Sequence, residues 1–170
     1  GNGVYDITVD NIWSTYSNPS TGRLDSGMAF SGTSGQCLFR LKGDIRIAAC
    51  HIDSGTTGRV TFQNDDEFDA PATLTATSYN GQDNHYNAVI GGNDNSNSNT
   101  YLTINGGVIY AGAQTGDNCS GIGGGGNGIG DIIINGGLVT SVVNSSGAAI
   151  GGGIGESSIG GNANITITNG

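Results

Sequence analysis

Apolar residues in this chain recur every second position over short stretches, and almost nowhere at the spacing of a helix. Tyr5, Ile7 and Val9 alternate with polar neighbours, and so do Cys37, Phe39 and Leu41, with Arg40 and Lys42 on the opposite face. The same spacing returns at Ile45/Ile47/Ala49, Val60/Phe62, Leu74/Ala76, Leu102/Ile104, Ile132/Ile134 and Ile165/Ile167. Successive side chains of a strand point to opposite faces, so each stretch reads as a half-buried strand. Gly, Asn, Asp and Ser bound them, as turn residues should. No long segment places apolar residues at i, i+3, i+4 and i+7, so helices are not expected.

The second half repeats. Ala88-Val-Ile90-Gly-Gly92 returns as Ser120-Gly-Ile122-Gly-Gly-Gly125 and as Ala148-Ala-Ile150-Gly-Gly-Gly153. Leu102-Thr-Ile104-Asn105-Gly-Gly107 returns as Ile132-Ile-Ile134-Asn135-Gly-Gly137, and in altered form as Ile165-Thr-Ile167-Thr168-Asn169-Gly170. The first motif is spaced by 32 and then 28 residues, the second by 30 and then 33. A unit of that length cannot bury its own apolar edge, so neighbouring units must stack. A hairpin fold would carry turn signals every ~8–12 residues and no long period.

Each unit therefore predicts one coil of a solenoid: an all-β, single-stranded, right-handed parallel β-helix of about five or six coils at ~30 residues each. Stacking places Ile90, Ile122 and Ile150 in one column at the ~4.8 Å strand spacing. Leu102, Ile132 and Ile165 form a second inward column, and Ile104, Ile134 and Ile167 a third. Asn105 and Asn135 are expected to stack at a corner as an amide ladder, with Thr168 breaking it. Residues 1–170 form one domain, with irregular coils over 1–87 and regular Gly-rich coils over 88–170. The expected early strands lie near 5–12, 28–31, 37–42, 45–52, 58–63 and 73–78, building two wider coils. Longer loops interrupt them at 13–27, 64–71 and 91–100. An open stack has two exposed end edges, which invite end-to-end self-association, and the chain reads as a piece or tile of something larger.

The alternation of "AIGGG" corners with "ITINGG" strands resembles the Gly-rich repeats of large, adhesin-like surface proteins of bacteria. The likeness is clear over 88–170 and weak over 1–87. It implies a β-helix in an extracellular or cell-surface setting, and says little about ligand.

Composition agrees with a Gly-cornered β architecture: 33 of the 170 residues are Gly and only 2 are Pro. Charge sharpens the choice of partner. The net charge is −9, and all five basic residues lie at or before Arg59. Residues 60–170 thus present carboxylates without Lys or Arg, which repels phosphate backbones and anionic lipid. Nucleic acid is not an expected partner, and no apolar run approaches the ~20 residues of a membrane span. Of the three cysteines, Cys37 and Cys50 can pair under oxidising conditions or stay as buried thiols, and the odd count leaves at least one free.

Three constellations are candidates for chemistry. Asp65, Asp66, Glu67 and Asp69 form an acidic loop suited to a hard cation such as Ca²⁺, although EF-hand spacing is absent and a solvated loop explains the same residues. Trp13 and Tyr16, with Tyr79, His85 and Tyr86, sit in polar loops. They are candidates for a sugar-stacking platform, or for caps where loops leave the core. A polysaccharide lyase or hydrolase would need paired carboxylates and, for a lyase, a base from the first 59 residues. His51 follows Cys50 directly and so faces away from it, which excludes a Cys–His pair there. The expectation is a non-catalytic extracellular module, adhesin-like and contacting glycans. The alternatives are a fibre-forming structural subunit and a polysaccharide-active enzyme.

Overall fold

The computed structural model describes residues 4–10, 27–31, 35–53, 58–65, 70–78, 87–92, 99–113, 120–144, 146–154 and 161–169. The chain travels in circuits. The first contains β1 (Val4–Asp10) and β2 (Met28–Ser31). The second contains β3 (Gln36–Lys42), β4 (Asp44–Ile47) and β5 (Cys50–Asp53), and the third β6 (Arg59–Asn64), β7 (Thr73–Ser78) and β8 (Ile90–Gly91). The fourth contains β9 (Thr100–Ile104), β10 (Val108–Ala113) and β11 (Ile122–Gly123). The fifth contains β12 (Gly130–Ile134), β13 (Leu138–Val143) and β14 (Ile150–Gly151), and β15 (Ala163–Ile167) opens a sixth.

The second to fifth circuits each add one strand to each of three sheets, and the described strands of the first belong to sheets I and III. Sheet I runs β1-β3-β6-β9-β12-β15, sheet II β4-β7-β10-β13 and sheet III β2-β5-β8-β11-β14. Every strand pair among the described residues is parallel. The protein is all-β with parallel sheets, an arrangement consistent with a β-solenoid, and no described residue is helical.

The registers match the repeat. Ile90 pairs with Ile122 and Ile122 with Ile150. Leu102, Ile132 and Ile165 form one row, and Ile104, Ile134 and Ile167 the next. Ile90, Leu102, Ile104, Ile122 and Ile132 are fully buried, so these rows face inward. Ile165 and Ile167 occupy the same rows but are 45 % and 61 % exposed, because no described strand lies beyond β15.

The first half departs from the expected wider coils. Gln36 pairs with Arg59, a step of only 23 residues, while Val60 pairs with Leu102, a step of 42. The short step arises because the stretch expected as one strand over 45–52 is two. The buried small residues Ala48 and Ala49 form a corner between β4 and β5, and Ile45 and Cys50 therefore belong to different sheets. The early core is filled by aromatic bulk: Phe30 meets Phe39 edge-on at 5.3 Å between ring centroids, and Phe39 meets Phe62 at 5.7 Å. In the row of Phe39 and Phe62, later circuits substitute Ile104 and Ile134 for the rings.

Corners are held by backbone ladders. Between sheets I and II, Thr73 N–H donates to Gly43 O, Val108 N–H to Ala72 O and Leu138 N–H to Gly107 O, at 2.8, 2.8 and 2.9 Å. Gly107 and Gly137 adopt φ of 96° and 91° there, a left-handed turn that costs a side-chain-bearing residue strain. Before this turn, Asn135 Nδ2 donates to Asn105 Oδ1 at 3.0 Å, as the amide ladder requires. Thr168 does not break the ladder: its hydroxyl donates to Asn135 Oδ1 at 2.8 Å and extends the row by one more circuit. A hydroxyl both donates and accepts, so Thr substitutes for an amide at the end of such a row.

Candidate functional site on the outer face of sheet I

Most residues singled out from the sequence lie outside the described residues: Trp13, Tyr16, Tyr79, His85, Tyr86, Asp66, Glu67 and Asp69. The strand ends from which their segments leave are described. The Trp13/Tyr16 segment leaves β1 of sheet I, and the Tyr79–Tyr86 segment leaves β7 of sheet II, two circuits later. Asp65 is half-buried at the end of β6, where its N–H donates to Leu41 O at 2.9 Å. Asn64 Oδ1 accepts from Ala72 N–H at 3.1 Å, so the base of the acidic loop is cross-tied. Among the described residues no three His, Cys, Asp or Glu side chains converge on a point that a cation could occupy.

Cys37 and Cys50 are free thiols on the inner side. Burial pushes Cys50 well above the usual thiol range, with Cys37 adding to the shift. Cys37 is pushed up by burial first and by the Asp6 carboxylate second. Both thiols are therefore poorly ionised at neutral pH and weak nucleophiles.

Among the described residues, a polar cluster lies on the outer face of sheet I, where alternate residues point away from the core. Arg59 and Tyr101 stand one step before the Val60–Leu102 pair, Tyr101 pairs with Asp131, and Asp131 with Asn164, one residue from each of four consecutive circuits. Arg59 Nη1 donates to Leu102 O and to Thr103 Oγ1, both at 3.2 Å. Its Nη2 reaches across β9 to Asp131 Oδ1 at 2.5 Å. Its Cζ lies 5.7 Å from the centre of the Tyr101 ring, within cation–π range. The two charged side chains retain only 24 % and 28 % exposure, so this pair is partly desolvated and stronger than an open surface ion pair. By contrast, Arg46, paired with Asp44 at 2.9 Å, is 59 % exposed. Arg40 holds Asp6 through two bonds at 2.9 and 3.2 Å, tying β3 to β1.

Sequence reasoning passed over this cluster because Arg59 and Asp131 are 72 residues apart. The signal was present all the same: Arg59, Tyr101, Asp131 and Asn164 each immediately precede the first inward residue of a sheet I repeat. Tyr101 and Tyr110 both sit half-buried in strands. No family model, curated protein or solved structure matches this chain.

Proposed function

We propose that this chain is a non-catalytic, extracellular β-solenoid module of an adhesin-like surface protein, a right-handed parallel β-helix that presents polar faces to glycans. The observation that carries the reading is the continuous register of inward columns from circuit to circuit. Such a body gains length without changing its cross-section, which suits a part that projects a binding surface. A right hand is favoured because parallel crossover connections are right-handed in nearly every known case. The deficit of basic residues after Arg59 supports an uncharged partner rather than nucleic acid or an anionic membrane. The acidic loop at Asp65, Asp66, Glu67 and Asp69 is the candidate Ca²⁺ site, and the platform of Trp13, Tyr16, Tyr79, His85 and Tyr86 the candidate sugar contact. A glycan array tests this reading: binding to neutral glycans that falls in Trp13→Ala supports it, and a blank array overturns it.

A second reading, a structural subunit stacking into fibres, is favoured by a specific match between β1 and β15, the outermost described strands of sheet I. Tyr5 and Ile165 belong to one inward row, and Ile7 and Ile167 to the next. These residues are 56 %, 45 %, 41 % and 61 % exposed. A second copy laid on β15 would continue both rows through parallel β1–β15 pairing, an open head-to-tail contact that propagates. Concentration-dependent filaments in negative stain, lost in Ile167→Lys, support this reading; a monomer at all concentrations by sedimentation overturns it.

A further inference from the structure

We infer that the row Arg59–Tyr101–Asp131–Asn164 is a binding site for a neutral oligosaccharide lying across the strands of sheet I. The inference rests on the glycan reading above and adds a contact on the strand face to the one in the loops.

The first reason is shape. Neighbouring residues of the row are one strand apart, so the row spans about 14 Å in a straight line, the footprint of a short sugar chain. The second reason is unused bonding capacity. A guanidinium has five N–H donors, and Arg59 uses Nη1 for Leu102 O and Thr103 Oγ1 and one Nη2 hydrogen for Asp131. Nε–H and the second Nη2–H have no protein acceptor among the described residues. Asp131 Oδ2 likewise has no described donor. Donors and an acceptor thus lie side by side, with the exposed Asn164 carboxamide at the next step supplying both kinds. Vicinal sugar hydroxyls, each a donor and an acceptor, match that alternation.

The third reason is rigidity. The guanidinium is fixed by two bonds to β9, one to β12 and the Tyr101 ring. Tyr101 is half-buried. Groups already held in place lose little conformational freedom when a ligand arrives. An aromatic ring beside such donors supplies the apolar surface against which sugar C–H groups pack. Charge then selects among sugars. The Arg59–Asp131 pair is neutral as a unit, and the chain around it carries −9, so uncharged sugars are preferred over sulfated or uronic ones.

The test is titration calorimetry of the full chain with cellohexaose, xylohexaose and mannohexaose, and with a heparin hexasaccharide as the anionic arm. Amide chemical shifts are followed for the best binder. The expected result is binding of at least one neutral hexasaccharide, with shifts centred on Tyr101, Asp131 and Asn164. Affinity should fall at least tenfold in Tyr101→Ala and in Asp131→Asn, the second of which keeps the side-chain shape. Arg46→Ala, on sheet II, should leave the shift pattern on β9, β12 and β15 in place. Neutral-sugar binding that is unchanged in both row variants, with shifts elsewhere, overturns this site and leaves the glycan reading standing. No binding of any neutral sugar overturns both, and preference for the heparin fragment overturns the neutral assignment. Because the shift map is recorded on the unaltered chain, a misfolded variant does not decide the outcome.

Discussion

Replacing Gly123 by Ala tests the stacked Gly corner most sharply. Gly91, Gly123 and Gly151 sit one above another in sheet III with φ of 139°, 148° and 151°. A Cβ on Gly123 would lie 1.7 Å from Gly151 O and 2.8 Å from Gly151 C, both backbone atoms. That oxygen is also the acceptor for Gly124 N–H at 3.0 Å, so it cannot retreat without breaking the ladder between circuits. Positive φ costs an L-residue about 1–3 kcal/mol. The overpacking costs about 1–3 kcal/mol more, and a lost backbone bond about 1 kcal/mol. The expected loss is therefore about 3–7 kcal/mol. Gly151 is the internal control: its φ is as demanding, but among the described residues its added Cβ meets only Ala148 Cβ at 3.0 Å and Ala163 Cβ at 3.7 Å. Gly151→Ala should cost about 1–3 kcal/mol, mostly backbone strain. Urea denaturation followed by circular dichroism measures both. Equal losses in the two variants, or a neutral Gly123→Ala, would refute the account of this corner.

Other substitutions test other parts. Ile104→Ala, fully buried in sheet I, should lose about 2–5 kcal/mol, whereas Ile167→Ala in the same row, 61 % exposed, should lose under about 1 kcal/mol by the same urea assay. Asn135→Ala removes the partner of both Asn105 and Thr168 and should cost about 1–2 kcal/mol, seen as a lower urea midpoint at unchanged slope. Cys50 should resist thiol reagents in the native protein at pH 8 and label only after unfolding, as read by peptide mass spectrometry. Its raised native pKa also sets a pH dependence. Above about pH 9 the unfolded thiol ionises while the native one stays protonated, so stability falls as pH rises. Cys50→Ala should flatten that alkaline slope; an unchanged slope contradicts the burial argument.

Much of the fold is legible in the sequence because the regular half repeats the same solution. The spacings between Ile90, Ile122 and Ile150, and between Leu102, Ile132 and Ile165, are the strand registers themselves. The early circuits were harder to read, since Ala48-Ala49 turns a corner without Gly, Asn or Pro to mark it. Thr168 continues the ladder for a chemical reason that residue type alone hides: the ladder needs a donor to Asn135 Oδ1, which a hydroxyl supplies as well as an amide. The outer cluster is not legible in the sequence because its members are ordinary alone. Arg59, Tyr101 and Asp131 gain meaning only once parallel stacking sets them in one row.

The central claim is that successive circuits lie directly on one another in parallel register. Methyl nuclear Overhauser spectroscopy on isoleucine-labelled protein tests it most directly. Cross-peaks are expected from Ile122 to both Ile90 and Ile150, with none between Ile90 and Ile150, which lie two strands apart. An Ile90–Ile150 cross-peak, or Ile122 without contact to either, would contradict the stacked architecture.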